Sequence, residues 1–370
     1  MNKTSITITT INVPKILEDL CKNLTKYNHL EDVSVLVIGD KKTPAETRDY
    51  CLKIAKEFNT DIEYLGIEDQ EKAFKENKEL LNLFPYNTPD RVMLGGMLSY
   101  LRGCERLIAL DDDNFPTEYD FVGSHSITGK EEEIKLIKNE SGWFNVHNAL
   151  IDERNIPFYP RGFPWGQRNS GSDEKTFQEE KRRVVANQGL VLEDPDIDAI
   201  TRLAWPIRAI KMREEFGLQF GLYPGVWSPF NYQNTCLVRE LIPVYYRPIS
   251  TKRNADIWTA YLINKLAGHF GDIITFGQPL VKQIRNKHDL WDDLDIELVN
   301  NKAADYLITI LRNVNLTEKT YFGALGELLN NSQEEIKKMN DISSSELEMI
   351  KGFFEEYQVW YKIVSKIINK

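Results

Sequence analysis

Apolar residues recur with two different periods along the first 115 positions. "SITITTI" (5–11) and "VSVLVIG" (33–39) are β-branched runs, and "DIEYLGI" (61–67) and "RLIALDD" (106–112) repeat the theme, with helical spacing between them. Strands alternating with helices make βαβ units, which predicts an α/β fold with a mixed, mostly parallel sheet flanked by helices. In "KKTPAETRDYCLKIAKEF" (41–58), Thr43 is placed as an N-cap, Pro44 at the first helical position and Glu46 as the partner of a capping box. The helix that follows is expected to bury Tyr50, Ile54 and Ala55. In "PYNTPDRVMLGGMLSYLRGC" (85–104) a helix starts near Thr88 and Pro89 and leads into the strand Leu107–Leu110.

Beyond residue 300 the period is purely helical. "SSSELEMIKGFFEEYQVWYKIVSKIINK" opens with Ser343 and Glu346 at capping-box spacing and puts Ile350, Phe353, Phe354, Tyr357, Tyr361, Val364 and Ile368 on one face. Such a stripe is a docking surface, either for the rest of the chain or for a second copy in a homo-oligomer; membrane-surface binding is the lesser reading, because the polar face mixes Glu with Lys. The expected division is therefore 1–300 for the main domain and 301–370 for a helical C-terminal extension.

Charge and composition remove several alternatives. The 370-residue chain carries a net charge of −10 with 42% hydrophobic residues, ample for a core and unsuited to a phosphate backbone, so no nucleic acid partner is expected. No apolar run approaches the roughly 20 residues of a transmembrane segment, and the first fifteen residues lack the features of a signal peptide, so a cytoplasmic protein is expected. Four cysteines, none in a CxxC pair, read as reduced core residues, and five histidines show no metal-ligand spacing.

Against this ordinary background, "LIALDDDNFP" (107–116) stands out, because three adjacent carboxylates follow a buried strand. In open α/β sheets ligands bind beyond the carboxyl ends of the strands. Hard oxygen donors crowded there suit Mg²⁺ or Mn²⁺, ions that keep waters and bridge to phosphate oxygens; an acidic turn that caps the next helix is the plainer alternative. "NIPFYPRGFPWGQRN" (155–169) packs three prolines, two glycines and four aromatics around Arg161 and Arg168, a stiff loop able to aim either guanidinium at a diphosphate or a sugar.

These patches, followed by "GLVLEDPDIDAITRL", "GVWSPFNYQNTCLVRELIPVYY" and "ADIWTAYLINKL", keep the order seen in the reversibly glycosylated polypeptides. The chain resembles that family, which includes the plant UDP-arabinopyranose mutases and related GT-A glycosyltransferases, over roughly residues 85 to 285. The resemblance implies a GT-A fold, a DxD-type motif and a divalent metal (Mn²⁺ or Mg²⁺) held by Asp111 and Asp113, with Asp112 at the substrate. It also implies a UDP-linked nucleoside-diphosphate sugar as donor. Arg161 stands where the family carries a glycosylated arginine, and Arg168 matches another arginine. Asp256 and Trp258 match an acidic and tryptophan pair, with Ala255 in place of the first aspartate. Asn114 replaces a cysteine, and Gln283 lies nearest the place of an expected histidine.

Three activities follow as expectations: metal-dependent transfer of a sugar to a glycan or other acceptor, ring mutation or self-glycosylation, and a silent nucleotide-sugar binding subunit. The departures from the family favour transfer. Asp256 is then the catalytic base for the acceptor hydroxyl, with a helix N-cap as its plainer reading. Trp258 and Trp227 are candidates to stack on a sugar, or core residues. Thr9, Thr10 and Asn12 are expected near the nucleobase, Asp40 as an acceptor from its edge, and Arg91 either towards the phosphates or at the surface.

Overall fold

The structure, a computed structural model, describes residues 3–168, 170–285 and 289–368. Asn169 of the proline-rich loop and the last two residues of the C-terminal stretch lie outside the described residues. A large central sheet is built from β1 (Thr4–Thr9), β2 (Val33–Ile38), β3 (Asp61–Leu65), β4 (Arg106–Asp111), β5 (Asn114–Pro116), β6 (Glu131–Lys138), β7 (Leu150–Asp152), β8 (Thr176–Glu193), β9 (Ala209–Met212), β10 (Gln219–Leu222), β11 (Thr235–Val238) and β12 (Ile273–Gln283). Its main path is β3-β2-β1-β4-β11-β8-β6-β10-β12-β5. The first four strands are parallel, with Thr4 opposite both Val33 and Arg106, as the βαβ pattern predicts. β11 then joins β4 antiparallel, and β12 lies parallel to β8 and antiparallel to β5. The fold is mixed α/β, with helices on the sheet and a helical C-terminal region.

Both faces of the parallel strands are covered. Ile6, Ile8, Val35 and Val37 pack with Ile16, Leu20 and Ile54 of the helices Ile16–Lys26 and Thr47–Phe58. Leu36, Ile38, Leu107 and Ala109 face Met93, Leu94 and Met97 of the helix Val92–Leu101 on the other side. That helix lies so close to β1 that a Cβ at Gly95 would stand 2.3 Å from Thr7 Cγ2, which explains a glycine in a helix interior. The helix after β2 starts at Thr47 rather than at Thr43. The Thr43 hydroxyl accepts from Asp40 N (2.7 Å) and donates to Thr10 O (2.7 Å), tying the loops after β1 and β2 together instead of capping. Tyr50 and Ala55 are half-buried, while Ile54 is fully buried. All four cysteines are free and buried.

The C-terminal stripe docks on its own chain. In the helix Ser344–Ile368, Ile350, Phe353, Phe354, Tyr357, Trp360 and Val364 are buried, whereas Tyr361 and Ile368 sit at the margin. Trp360 stacks on Tyr246 with ring centroids 4.8 Å apart and donates to Pro243 O at 2.8 Å. Ser343 and Glu346 exchange the reciprocal bonds of a capping box, at 3.1 and 3.4 Å. The helix Leu290–Asn313 runs without a break through residue 300, and its Leu307, Ile310 and Leu311 share one core with β8, β10 and the helix Ala255–Phe270. Among the described residues no helix is long and apolar enough to cross a membrane.

Candidate active site at the carboxyl end of the central strands

The three aspartates at the end of β4 diverge. Asp111 and Asp113 line a cavity of about 420 Å³. Asp112 turns to the loop after β1, accepting from Thr10 Oγ1 (2.5 Å) and Asn12 Nδ2 (3.3 Å). Thr10 and Asn12 thus gather at Asp112, while the Thr9 hydroxyl reaches Ile38 O at 3.5 Å. β12 pairs with β5 so that Gln283 lies opposite Asn114, and the Gln283 amide donates to both oxygens of Asp113 (3.3 and 3.2 Å). Gln283 Oε1 is held in turn by Arg285 Nη2 at 2.9 Å.

Burial, then the neighbouring charge of Asp113, pushes the Asp111 carboxyl up to about 7, with Arg247 opposing. Burial raises Asp113 as well, against the hydrogen bond from Gln283. Among the described residues no group of three His, Cys, Asp or Glu side chains gathers around one point. The donor set is instead two desolvated carboxylates with an amide beside them. It fits Mg²⁺ or Mn²⁺, which bind through one or two carboxylates and complete their shell with water and phosphate oxygens. A divalent cation would also relieve the repulsion that lifts both carboxyls.

The opposite wall comes from the proline-rich loop. Gly162 takes φ +72°, and a Cβ there would lie 2.3 Å from Ile257 Cγ2, so glycine is required both for the turn and for the approach to the helix Ala255–Phe270. The turn buries Arg161, whose Nε and Nη2 grip Asp196 (2.9 and 2.8 Å). Nη2 also reaches Asp256 at 3.1 Å, and Nη1 donates to the Arg253 carbonyl. Burial opposes these charges, but Arg161 and the amide of Asn231 hold Asp196 well below the usual carboxylate range. Its two carboxylates hold Arg161 well above its ordinary value despite burial. Every nitrogen of Arg161 is therefore engaged by the protein. Asp256 lies in the first turn of its helix, not at the N-cap, which is Asn254; its carboxylate accepts from Ile257 N (3.0 Å) and faces Arg247 at 3.6 Å.

Several residues named from the sequence lie elsewhere. Arg168 stacks over Trp165 at 3.8 Å and donates to Asp198 at 2.7 Å, bracing the loop rather than facing the cavity. Arg91 is neither at the surface nor in the cavity lining: it is 1% exposed, donates to Phe84 O (2.9 Å) and Gln70, and stands 3.8 Å from Asp40. Asp40 is closed off by the backbone N–H of Lys41 (2.7 Å) and Asn87 (2.6 Å), so it organises a loop and has no edge free for a base. Trp258 is fully buried against Phe353, and Trp227 packs with Tyr261 and lines a second cavity, so neither lines the cavity of Asp111 and Asp113.

The sequence reading missed Asp90, Asp196, Asn231, Arg247, Lys252, Arg253 and Arg285, all of which line the cavity. A signal existed for one of them: in "LEDPDIDA", Asp194, Asp196 and Asp198 alternate, a spacing that points them to one side of an extended chain.

No protein-family model matches the chain, and no curated protein does. Among solved structures the chain is similar to glucosyl-3-phosphoglycerate synthase from Mycobacterium tuberculosis in complex with phosphoglyceric acid, at 12% identity and a TM-score of 0.41 over 82% of this chain and 78% of that one. It is similar to the same enzyme with Mn²⁺, uridine-diphosphate-glucose and phosphoglyceric acid, at 12% identity and a TM-score of 0.41 over 84% and 79%. It is also similar to S. aureus TarS 1–349, at 11% identity and a TM-score of 0.36 over 98% and 91%. Likenesses of this size leave the chemistry of the site to its own residues.

Proposed function

We propose that the chain is a metal-dependent glycosyltransferase of GT-A type that moves a sugar from a UDP-linked nucleoside-diphosphate sugar to a separate acceptor, a glycan or another hydroxyl compound. One observation carries the reading. Two desolvated carboxylates at a strand end, Asp111 and Asp113, line one cavity of about 420 Å³ together with a fixed Arg161–Asp196–Asp256 cluster, a size suited to a bound small molecule. In this reading residues 1–300 bind the nucleotide sugar and the helices beyond brace them.

Asp111 and Asp113 would hold a divalent ion, which would supply part of the charge for the departing diphosphate. Gln283 orients Asp113, and Thr10 with Asn12 fixes Asp112 at the rim. Asp256 takes the proton of the acceptor hydroxyl, its carboxylate oriented by Arg161 and Arg247. Arg161 acts through its carboxylates and is a positioning residue. Its locked, fully charged guanidinium speaks against self-glycosylation, because a nucleophile needs a free lone pair.

The test is incubation with UDP-arabinopyranose and Mn²⁺, followed by chromatography of the nucleotide sugars. Released UDP with a glycosylated acceptor or free sugar supports transfer. The furanose form appearing without UDP would make the chain a mutase, and binding with no turnover of any donor would make it a silent subunit.

A further inference from the structure

Eight residues other than glycine take positive φ among those described, and six of them are Asn or Asp, which tolerate it. Glu193 and Lys252 are the exceptions. Glu193 uses its side chain, gripping Arg208 at 2.6 and 3.0 Å. Lys252, at φ 48° and ψ −120°, is exposed and lines the cavity that holds Asp111 and Asp113. Glycine would adopt this conformation freely, whereas lysine strains it.

The strain is imposed from both sides. Glu356 of the C-terminal helix accepts from the backbone N–H of Ile249 (2.5 Å) and Ser250 (2.9 Å), fixing the chain before Lys252. After it, the Arg253 carbonyl accepts from Arg161 and the Arg253 side chain reaches Glu297 (2.9 Å) and Asp293 (3.1 Å). A turn so held needs no lysine for its own sake. The other cations at the cavity are already committed: Arg161 to Asp196 and Asp256, Arg247 to Asp90, Arg253 to Glu297 and Arg285 to Asp194. Among the described residues Lys252 has no carboxylate partner.

We infer that Lys252 binds a phosphoryl oxygen of the donor diphosphate and offsets the charge that builds there as the nucleotide leaves. The inference rests on the proposed transfer. In that step the bond from the anomeric carbon to the diphosphate oxygen breaks and its electron pair stays on that oxygen, while the acceptor oxygen bonds to the carbon and gives up its proton. A divalent cation held by Asp111 and Asp113 would share its charge with those two carboxylates, so the diphosphate would still draw on a further cation. Among the described residues, Lys252 is the cation in the cavity lining without a carboxylate partner.

Calorimetric titration of the full chain with UDP and with inorganic pyrophosphate, each in Mn²⁺, tests this. Lys252→Ala should weaken both ligands about tenfold or more, and Lys252→Arg should recover most of the loss. Lys252→Gly should weaken them as much as Lys252→Ala yet unfold at a higher temperature than it, because glycine relaxes the turn; this comparison separates lost charge from a damaged fold. Wild-type affinity in Lys252→Ala overturns the inference, as does a wild-type chain that binds neither ligand. Lys252-dependent binding of pyrophosphate without any binding of UDP keeps the anion site and overturns the nucleotide-sugar reading instead.

Discussion

Arg161 and Asp256 lie 95 residues apart in the chain and meet at 3.1 Å on one wall of the cavity, with Asp196 closing the cluster. Removing a partner from a buried charge cluster leaves the other charges uncompensated. Arg161→Ala should therefore cost about 3–5 kcal/mol of stability, read from urea unfolding. Arg161→Lys keeps the charge but not the fork, so it should retain most of the fold and lose most of the transfer activity. Intact-mass measurement after incubation with sugar donors should find Arg161 unmodified.

Asp111→Ala and Asp113→Ala should each abolish Mn²⁺-dependent binding of nucleotide sugars while leaving the unfolding midpoint of the metal-free chain at or above the wild-type value. The reason is that burial already disfavours both carboxylates, and the charge of Asp113 adds to this at Asp111. Calorimetry and thermal unfolding on the same samples read both halves, and unchanged nucleotide affinity in Mn²⁺ would remove the metal site.

Glu356 links the C-terminal helix to the cavity through Ile249 and Ser250. Glu356→Ala leaves two backbone donors without partners, which should cost about 1–3 kcal/mol. It should also weaken UDP binding by loosening the segment that carries Lys252 and Arg253. Glu356→Gln, which keeps one acceptor, should fall between. Equal UDP affinity in all three proteins would confine the helix to a packing role.

Acid should destabilise the chain through two histidines. Burial pushes His125 and His147 down to about 4 from an ordinary 6.5. Between those values the unfolded chain binds more protons than the folded one, so this stability is complete above about pH 6.5 and is lost as pH falls towards 4. Each histidine contributes up to about 3 kcal/mol. The difference in urea midpoint between the wild type and His125→Gln with His147→Gln should shrink as pH falls from 7.5 to 4.5; the comparison cancels Asp111, whose raised carboxyl works in the opposite direction in both proteins.

The sequence alone determined the parallel strands β1 to β4, the carboxylates at the end of β4 and the amphipathic C-terminal helix. These are readable because strand and helix periods are local: a β-branched run or an apolar stripe names its own element, and the end of the strand at Asp111 follows from the run that precedes it. Tertiary structure alone decided what each polar side chain does. Arg161 and Arg168 look equivalent in one loop, yet Arg161 meets Asp196 and Asp256 inside the cavity while Arg168 meets Asp198 and Trp165 outside it. Asp40 and Arg91 read as ligand contacts until the loop at Asn87 and the helix Ile67–Ala73 carrying Gln70 consume them. Trp258 sits on a helix buried without interruption from Ala255 to Asn264, so its ring packs against Phe353 in the core. A charge or an aromatic ring carries no mark of its partner in the sequence. The two carboxylates of Arg161 arrive from 35 and 95 residues away, and only the folded backbone sets which carboxylate reaches a guanidinium first.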